Sequence, residues 1–174
     1  MPDALEDITR VISEHRTIRE HTKLAGDTMN DIGALFNLQT TQYQVGWSLT
    51  SVTALKKKLD QLLQTINFLE DGLKNHFGFE EKVLPLLFGE LLMKAILREH
   101  HEILGQIENA KTTLINFKGL DQGELFSKRS VVQQIINNLC QTVEDHAHHE
   151  ETALNMMKKA LEENTAYRDW LSQN

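Results

Sequence analysis

Residues 52–85 read VTALKKKLDQLLQTINFLEDGLKNHFGFEEKVLP, and this stretch decides the fold. Val52, Leu55, Leu59, Leu62, Leu63, Ile66, Leu69 and Leu73 recur at spacings of three and four and continue to Val83, the period of a helix with one buried stripe. Pro85 closes the run, because proline locks φ and offers no N–H. Upstream, Ile8, Val11, Ile12, Ile18, Ala25, Met29, Ile32 and Phe36 keep the same period and predict a helix over about 3–41. Downstream, a third stripe follows Leu92, Met93, Ile96, Leu97, Ile103, Leu104, Ile107, Leu114 and Ile115 and ends near Lys118-Gly119, a basic residue followed by a glycine. A fourth passes through Val132, Ile135, Ile136, Leu139, Val143, Leu154, Met157 and Leu161, with Ser127 or Ser130 as N-cap and a start near Arg129. Strand signals are missing, and Pro2 and Pro85 are the only prolines. Four amphipathic helices with short connections predict an all-α, up-down-up-down four-helix bundle.

The 174 residues suit one domain over 1–174. With 40% hydrophobic and 25% charged residues the chain is too apolar for disorder. A formal net charge of −7 leaves no electrostatic footprint for a phosphate backbone, so nucleic acid is not an expected partner. The single Cys140 has no intrachain disulfide partner, and MPDALEDITR has neither the basic nor the apolar region of a signal peptide; a cytoplasmic protein is expected. No apolar run approaches about 18 residues, so no membrane span is expected.

Chemistry enters where the stripes are interrupted. His15 shares its face with Ile8, Val11, Ile12 and Ile18. His76 lies between Leu69 and Leu73 on one side and Phe79 and Val83 on the other, with Glu80 one turn on. His100 is flanked by Met93, Ile96, Leu97, Ile103, Leu104 and Ile107, and His146 follows Leu139 and Val143 with Glu150 one turn on. The interruptions repeat. Glu14-His15-Arg16 matches Glu99-His100-His101, and His76-x-x-x-Glu80-Glu81-x-x-Leu84 matches His146-x-x-x-Glu150-Glu151-x-x-Leu154. The chain reads as two copies of a helix hairpin, each supplying one His and one His-x-x-x-Glu.

An i, i+4 pair projects both side chains to one helix face, so each His-x-x-x-Glu can reach one centre. Imidazole suits iron, zinc and copper, and carboxylate adds hard oxygen that can bridge two cations. Buried carboxylates need cationic company. A paired metal centre is therefore expected, with His15, His76, Glu80, His100, His146 and Glu150 as ligands. Two octahedral irons need roughly twelve coordination positions; four imidazoles, two bridging carboxylates and a bridging oxo or hydroxo leave roughly two open. Open positions imply reactivity, whereas a structural ion is saturated by protein, as tetrahedral zinc is. Iron, manganese and zinc all accept these ligands.

With these residues in place the sequence resembles the hemerythrin-like family, also called HHE cation-binding domains, over nearly its whole length. The family pattern is an inward His on the first helix, His-x-x-x-Glu on the second, an inward His on the third and His-x-x-x-Glu or His-x-x-x-x-Asp on the fourth; HFGFEEKVLP resembles the family's second-helix ending. The resemblance implies a non-haem di-iron centre with bridging carboxylates. It also departs from the oxygen carriers, which place a second histidine four residues after the third-helix ligand, where this chain has Leu104. Four histidines and two glutamates are similar to the set in proteins associated with repair of iron centres under nitrosative stress, which carry in addition an N-terminal cysteine-containing segment. The expected function is binding of a small diatomic ligand, O₂ or NO, for sensing, storage or stress response. The alternatives are a di-iron redox enzyme acting on peroxide or nitric oxide, a repair protein, and a metal-free helical interaction module.

Helical phase puts His21, His101 and His148 on the surface, and Glu81 and Glu151 among surface charges about 100° from their preceding glutamates. His149, adjacent in phase to Met156, is a candidate fifth imidazole. The first two helices extend about nine residues further from their histidines than the last two, or about 13 Å. Their apolar tip, with Phe36, Leu38, Tyr43, Val45, Trp47 and Leu49, is a candidate surface for a homodimer or a partner, unless 119–128 folds over it.

Overall fold

A computed structural model describes the backbone of residues 2–41 and 49–173, and the side chains of 4–38, 52–121 and 123–164. The described chain forms four helices: α1 (Pro2–Thr41), α2 (Leu49–Val83), α3 (Pro85–Lys118) and α4 (Gln122–Gln173). Helix α1 packs on α2 and α4, and α3 packs on the same two neighbours, which is the square arrangement of a four-helix bundle. None of the helices, among the described residues, is long and apolar enough to cross a membrane.

The helices run far because their polar side chains stay local. Thr22, Thr28 and Thr65 are buried, and each hydroxyl donates to the carbonyl four residues earlier, Ile18, Leu24 and Gln61, so none of these three hydroxyls is orphaned. On the exposed faces Lys23–Asp27, Lys74–Glu70 and Lys94–Glu90 pair at i, i+4, a spacing that supports a helix by a few tenths of a kcal/mol per pair, about 0.2–0.5. Lys58 to Asp31 and Lys111 to Glu70 tie neighbouring helices at 2.7 Å each.

Pro85 does mark a boundary. The chain turns at Leu84, Pro85 opens α3 at a position where the missing N–H costs nothing, and Gly89 takes φ 71°, ψ 174°, a left-handed φ that disfavours any side chain. The long run of α3 starts after this corner.

Helix α4 starts earlier than the periodicity indicates. It begins at Gln122 rather than near Arg129, and neither Ser127 nor Ser130 caps it. Asp121 does, accepting from the Glu124 amide at 2.9 Å, and the Ser127 hydroxyl donates to the Glu124 carbonyl inside the helix. Asp-x-x-Glu is a capping-box spacing. The added turns bring Phe126 over α1: Phe36 is 1% exposed, with Phe117 and Phe126 edge-on at 6.2 and 6.3 Å. Phe36 is thus core rather than projecting tip, covered by the 119–128 segment. Leu38 is exposed, whereas Tyr43, Val45, Trp47 and the Leu49 side chain lie outside the described residues. Leu92 and Ile115, assigned to the third stripe, are also exposed.

The core is divided. A large apolar cluster from Ile18 to Phe36 on α1, Leu55 to Phe77 on α2, Ile103 to Phe117 on α3 and Leu125 to Val143 on α4 fills the bundle on the tip side. A smaller one, built on Ile8, Val11, Leu84, Met93, Ile96 and Leu154, fills the opposite end. Between them lies a buried polar layer: His15, His76, Glu80, His100, His146 and Glu150, none more than 4% exposed.

Candidate metal centre

Each helix sends one histidine into this layer, and α2 and α4 each add a glutamate one turn on. The Nε2 atoms of His15 and His76 lie 3.6 and 2.6 Å from Glu80 Oε1, and His100 Nε2 lies 3.2 Å from Glu80 Oε2. Glu80 therefore presents one oxygen to the first histidine pair and the other to the second. Glu150 Oε2 is 3.3 Å from His15 Nε2 and 3.7 Å from His146 Nε2. Two groups have ligand atoms close enough to share a cation: His15, His76, Glu80 and Glu150, and Glu80, His100 and His146. Glu80 belongs to both.

The outer edge of each ring explains why the inner edge wants a cation. His76 Nδ1 bonds Glu14 at 2.9 Å and His146 Nδ1 bonds Glu99 at 2.8 Å, each across a hairpin. His15 Nδ1 bonds Glu151 at 3.2 Å and His100 Nδ1 bonds Glu81 at 3.3 Å, each between hairpins. An ionised carboxylate only accepts, so Nδ1 carries the proton and Nε2 of the neutral ring is a lone pair. All four Nε2 atoms, and all four oxygens of Glu80 and Glu150, are buried without a hydrogen-bond partner. Ordinary core histidines would be satisfied by donors. Here lone pairs face carboxylate oxygens, an arrangement that needs positive charge between them.

Protons can supply that positive charge as well as metal ions can, and a ring that takes one gains a second N–H at Nε2. Burial would raise the Glu80 carboxyl, yet His100, His15 and His76 around it hold it well below the usual carboxylate range. At Glu150 burial dominates and, with the nearby Glu80 charge, pushes its pKa up to about 7. Burial would lower His15, but Glu150 and Glu80 outweigh it and raise the ring to about 9. His146 is lowered by burial, with His100 adding to the effect against Glu99.

All six sequence-predicted residues meet in this layer. His149 does not: its side chain is 68% exposed, 4.0 Å from Glu99 on the outside, and Leu104 packs with the apolar core, so no fifth imidazole reaches the layer. His101 and His148 are exposed, as expected, and His21 is half-buried, bonded to the Thr17 carbonyl. Glu81 is exposed, as expected, and Glu151 only partly so, yet both also reach a ring edge. Phase places them beside the stripe, but the Nδ1 edge of an imidazole points sideways to the next helix, and that is where these carboxylates stand. Their place in the repeat, beside Glu14 and Glu99, was the signal that phase alone hid. Phe77 was missed as well: its ring stacks on His100 at 3.8 Å and 9° and meets His146 edge-on at 5.5 Å, walling the layer off from the large cluster.

Residues 7–154 match the hemerythrin HHE cation binding domain. The chain belongs to this family. Hemerythrin HHE domains bind cations, and the buried histidine–glutamate cluster is a place in this chain that fits a metal ion. Comparison with curated proteins and with solved structures returns no match.

Proposed function

We propose that the whole chain, 1–174, acts as one hemerythrin-like domain that holds two iron ions and binds a small diatomic ligand, O₂ or NO, for sensing, storage or stress response in the cytoplasm. His15 and His76 would hold one ion, His100 and His146 the other, with Glu80 and Glu150 bridging beside an oxo or hydroxo group. The observation that carries this reading is Glu80, whose two oxygens face different histidine pairs while both lack a hydrogen-bond partner. A carboxylate so placed can bind two cations at once, which one ion would not require.

The irons would supply Lewis acidity and reversible electron transfer. The chain's own residues hold and orient. Glu14, Glu81, Glu99 and Glu151 fix the tautomer of the four imidazoles and raise their basicity, and Phe77 excludes water from one side of the layer. No side chain in the layer is left over as an acid, base or nucleophile, which favours ligand binding over multistep catalysis. The second reading, a redox enzyme acting on peroxide or nitric oxide or a repair protein, draws on the lack of a fifth imidazole in the layer.

Metal analysis with absorption spectra before and after O₂ or NO decides between them. The proposal expects two irons per chain and a band that appears with the ligand and disappears on its removal. A stable oxidised form supports the redox or repair reading, and a protein that takes up no metal removes both. Self-association through the rest of the 36–49 tip, beyond the covered Phe36, is part of the same proposal, and zinc or manganese in place of iron is an outcome that metal analysis reports directly.

A further inference from the structure

The four outer carboxylates are placed alike, but they are not alike in charge. Arg19 of α1 lays its guanidinium against Glu151, Nη1 to Oε1 at 2.5 Å and Nη2 to Oε2 at 3.2 Å, while its Nε donates to both oxygens of Glu144 at 2.9 Å. Arg10, stacked over Phe79, donates to Glu14 at 2.8 Å. Both carboxylates behind the first histidine pair, His15 and His76, are thus engaged by arginine. Behind the second pair, Glu81 and Glu99 contact no arginine or lysine among the described residues. The repeat shows where the difference arises: aligned on His15 and His100, the places of Arg10 and Arg19 are taken in the second hairpin by Ala95 and Leu104.

A carboxylate behind a metal-binding imidazole makes the ring a stronger donor, and a guanidinium on that carboxylate takes part of the effect away. The positive charge also repels a cation directly, and it does so in a site only partly screened, since Arg19 and Glu151 are 30% and 20% exposed. Both effects have the same sign. Arg19 is the stronger of the two arginines, because Arg10 is 57% exposed and more fully screened.

Resting on the two-cation reading above, we propose that Arg19 is a positioning residue that acts through Glu151 to hold down the donor strength of His15, so that a cation bound by His15 and His76 is kept at its lower charge. The two cation positions of a nearly repeated site are thereby set apart.

The test is a pair of midpoint potentials and a stepwise metal titration on the full chain. In Arg19→Gln one of the two one-electron potentials should fall by about 59 mV, the equivalent of a tenfold change in the ratio of ferric to ferrous binding, and one step of a Co²⁺ titration should tighten by about tenfold. Arg19→Lys, which keeps the charge, should stay close to wild type. Glu144→Gln, which loosens the α1–α4 tie but leaves the Arg19 charge undivided on Glu151, should lower neither potential. Unchanged potentials in Arg19→Gln, a Lys variant that behaves like Gln, or a Glu144→Gln variant that reproduces the shift would each overturn the proposal. A wild-type protein that binds no metal overturns the two-cation reading with it; one that binds two ions and ignores Arg19 overturns this inference alone.

Discussion

The two hairpins carry the same ligand pattern yet use it differently. In α1–α2 the inner carboxylate, Glu80, divides its oxygens between the two histidine pairs and is held ionised by three imidazoles. In α3–α4 its counterpart Glu150 brings a single oxygen towards His15 and His146, and burial pushes its pKa up to about 7. Equivalent positions in a repeat thus give a carboxylate that binds the site together and one that leans on it. Sequence repetition fixes which residue stands at a place, while neighbours fix what charge it carries.

This contrast can be broken most directly at the glutamates. Glu80→Ala should abolish binding of both ions, whereas Glu150→Ala should leave at least one with weakened affinity; equal metal loss in the two variants would erase the distinction. His76→Ala should empty the first position preferentially, and metal content per chain checks all three. Because metal binding is linked to folding, each loss should also remove about 2–3 kcal/mol of linked stability at a hundredfold excess over Kd, read as a lower melting temperature of protein prepared with metal.

A smaller effect is expected from pH. In protein stripped of metal, Glu150 is raised from 4.5 to about 7 and His15 from 6.5 to about 9, so the folded state holds more protons than the unfolded chain between those values. Stability from both groups is present at low pH and is lost as pH rises from 4.5 through 9. Glu80, lowered from 4.5, contributes in the opposite sense, with stability fully present above 4.5, so it does not vary over this window, whereas His146, lowered from 6.5, offsets part of the loss as pH rises to that value. Metal-loaded protein should show the reverse slope, because protons compete with the cation for the same atoms. Melting curves at pH 5, 7 and 9 with and without metal measure both slopes, and parallel slopes would contradict the arrangement.

The outer carboxylates sharpen the comparison further. Glu14→Gln and Glu99→Gln, behind the shortest Nδ1 bonds, should weaken metal binding by about tenfold, and Glu81→Gln less, since its bond is 3.3 Å and its side chain 45% exposed. The smallest expected effect lies at the tips. Sedimentation of wild type beside Trp47→Ala tests self-association through the first hairpin; a monomer in both cases removes the dimer.

The inner ligands were legible because each one breaks an apolar stripe, and a buried polar group demands a reason. Helix number and the Pro85 boundary followed from period and from proline chemistry. Two things were not legible from period. The start of α4 is set by a single carboxylate, Asp121, ahead of a Gly-containing turn, and its first core residue, Leu125, stands seven residues before Val132, a gap across which the three-and-four spacing is broken. Glu81 and Glu151 are set by which helix lies beside a ring edge, a property of the packed bundle rather than of any one helix. Phase measures direction from a helix axis, and a partner on the next helix is invisible to it.

The polar layer lies between a large apolar cluster and a small one, and that placement has a mechanical result. The small cluster, around Ile8, Met93 and Leu154, is joined to the rest of the fold through the seam where the ligands sit. A cation there acts as a rivet across the seam, and chelation should loosen the small end first, so that amide exchange quickens around Ile8–Val11 and Met93–Ile96 while the backbone near Ile66 and Ile136 stays protected.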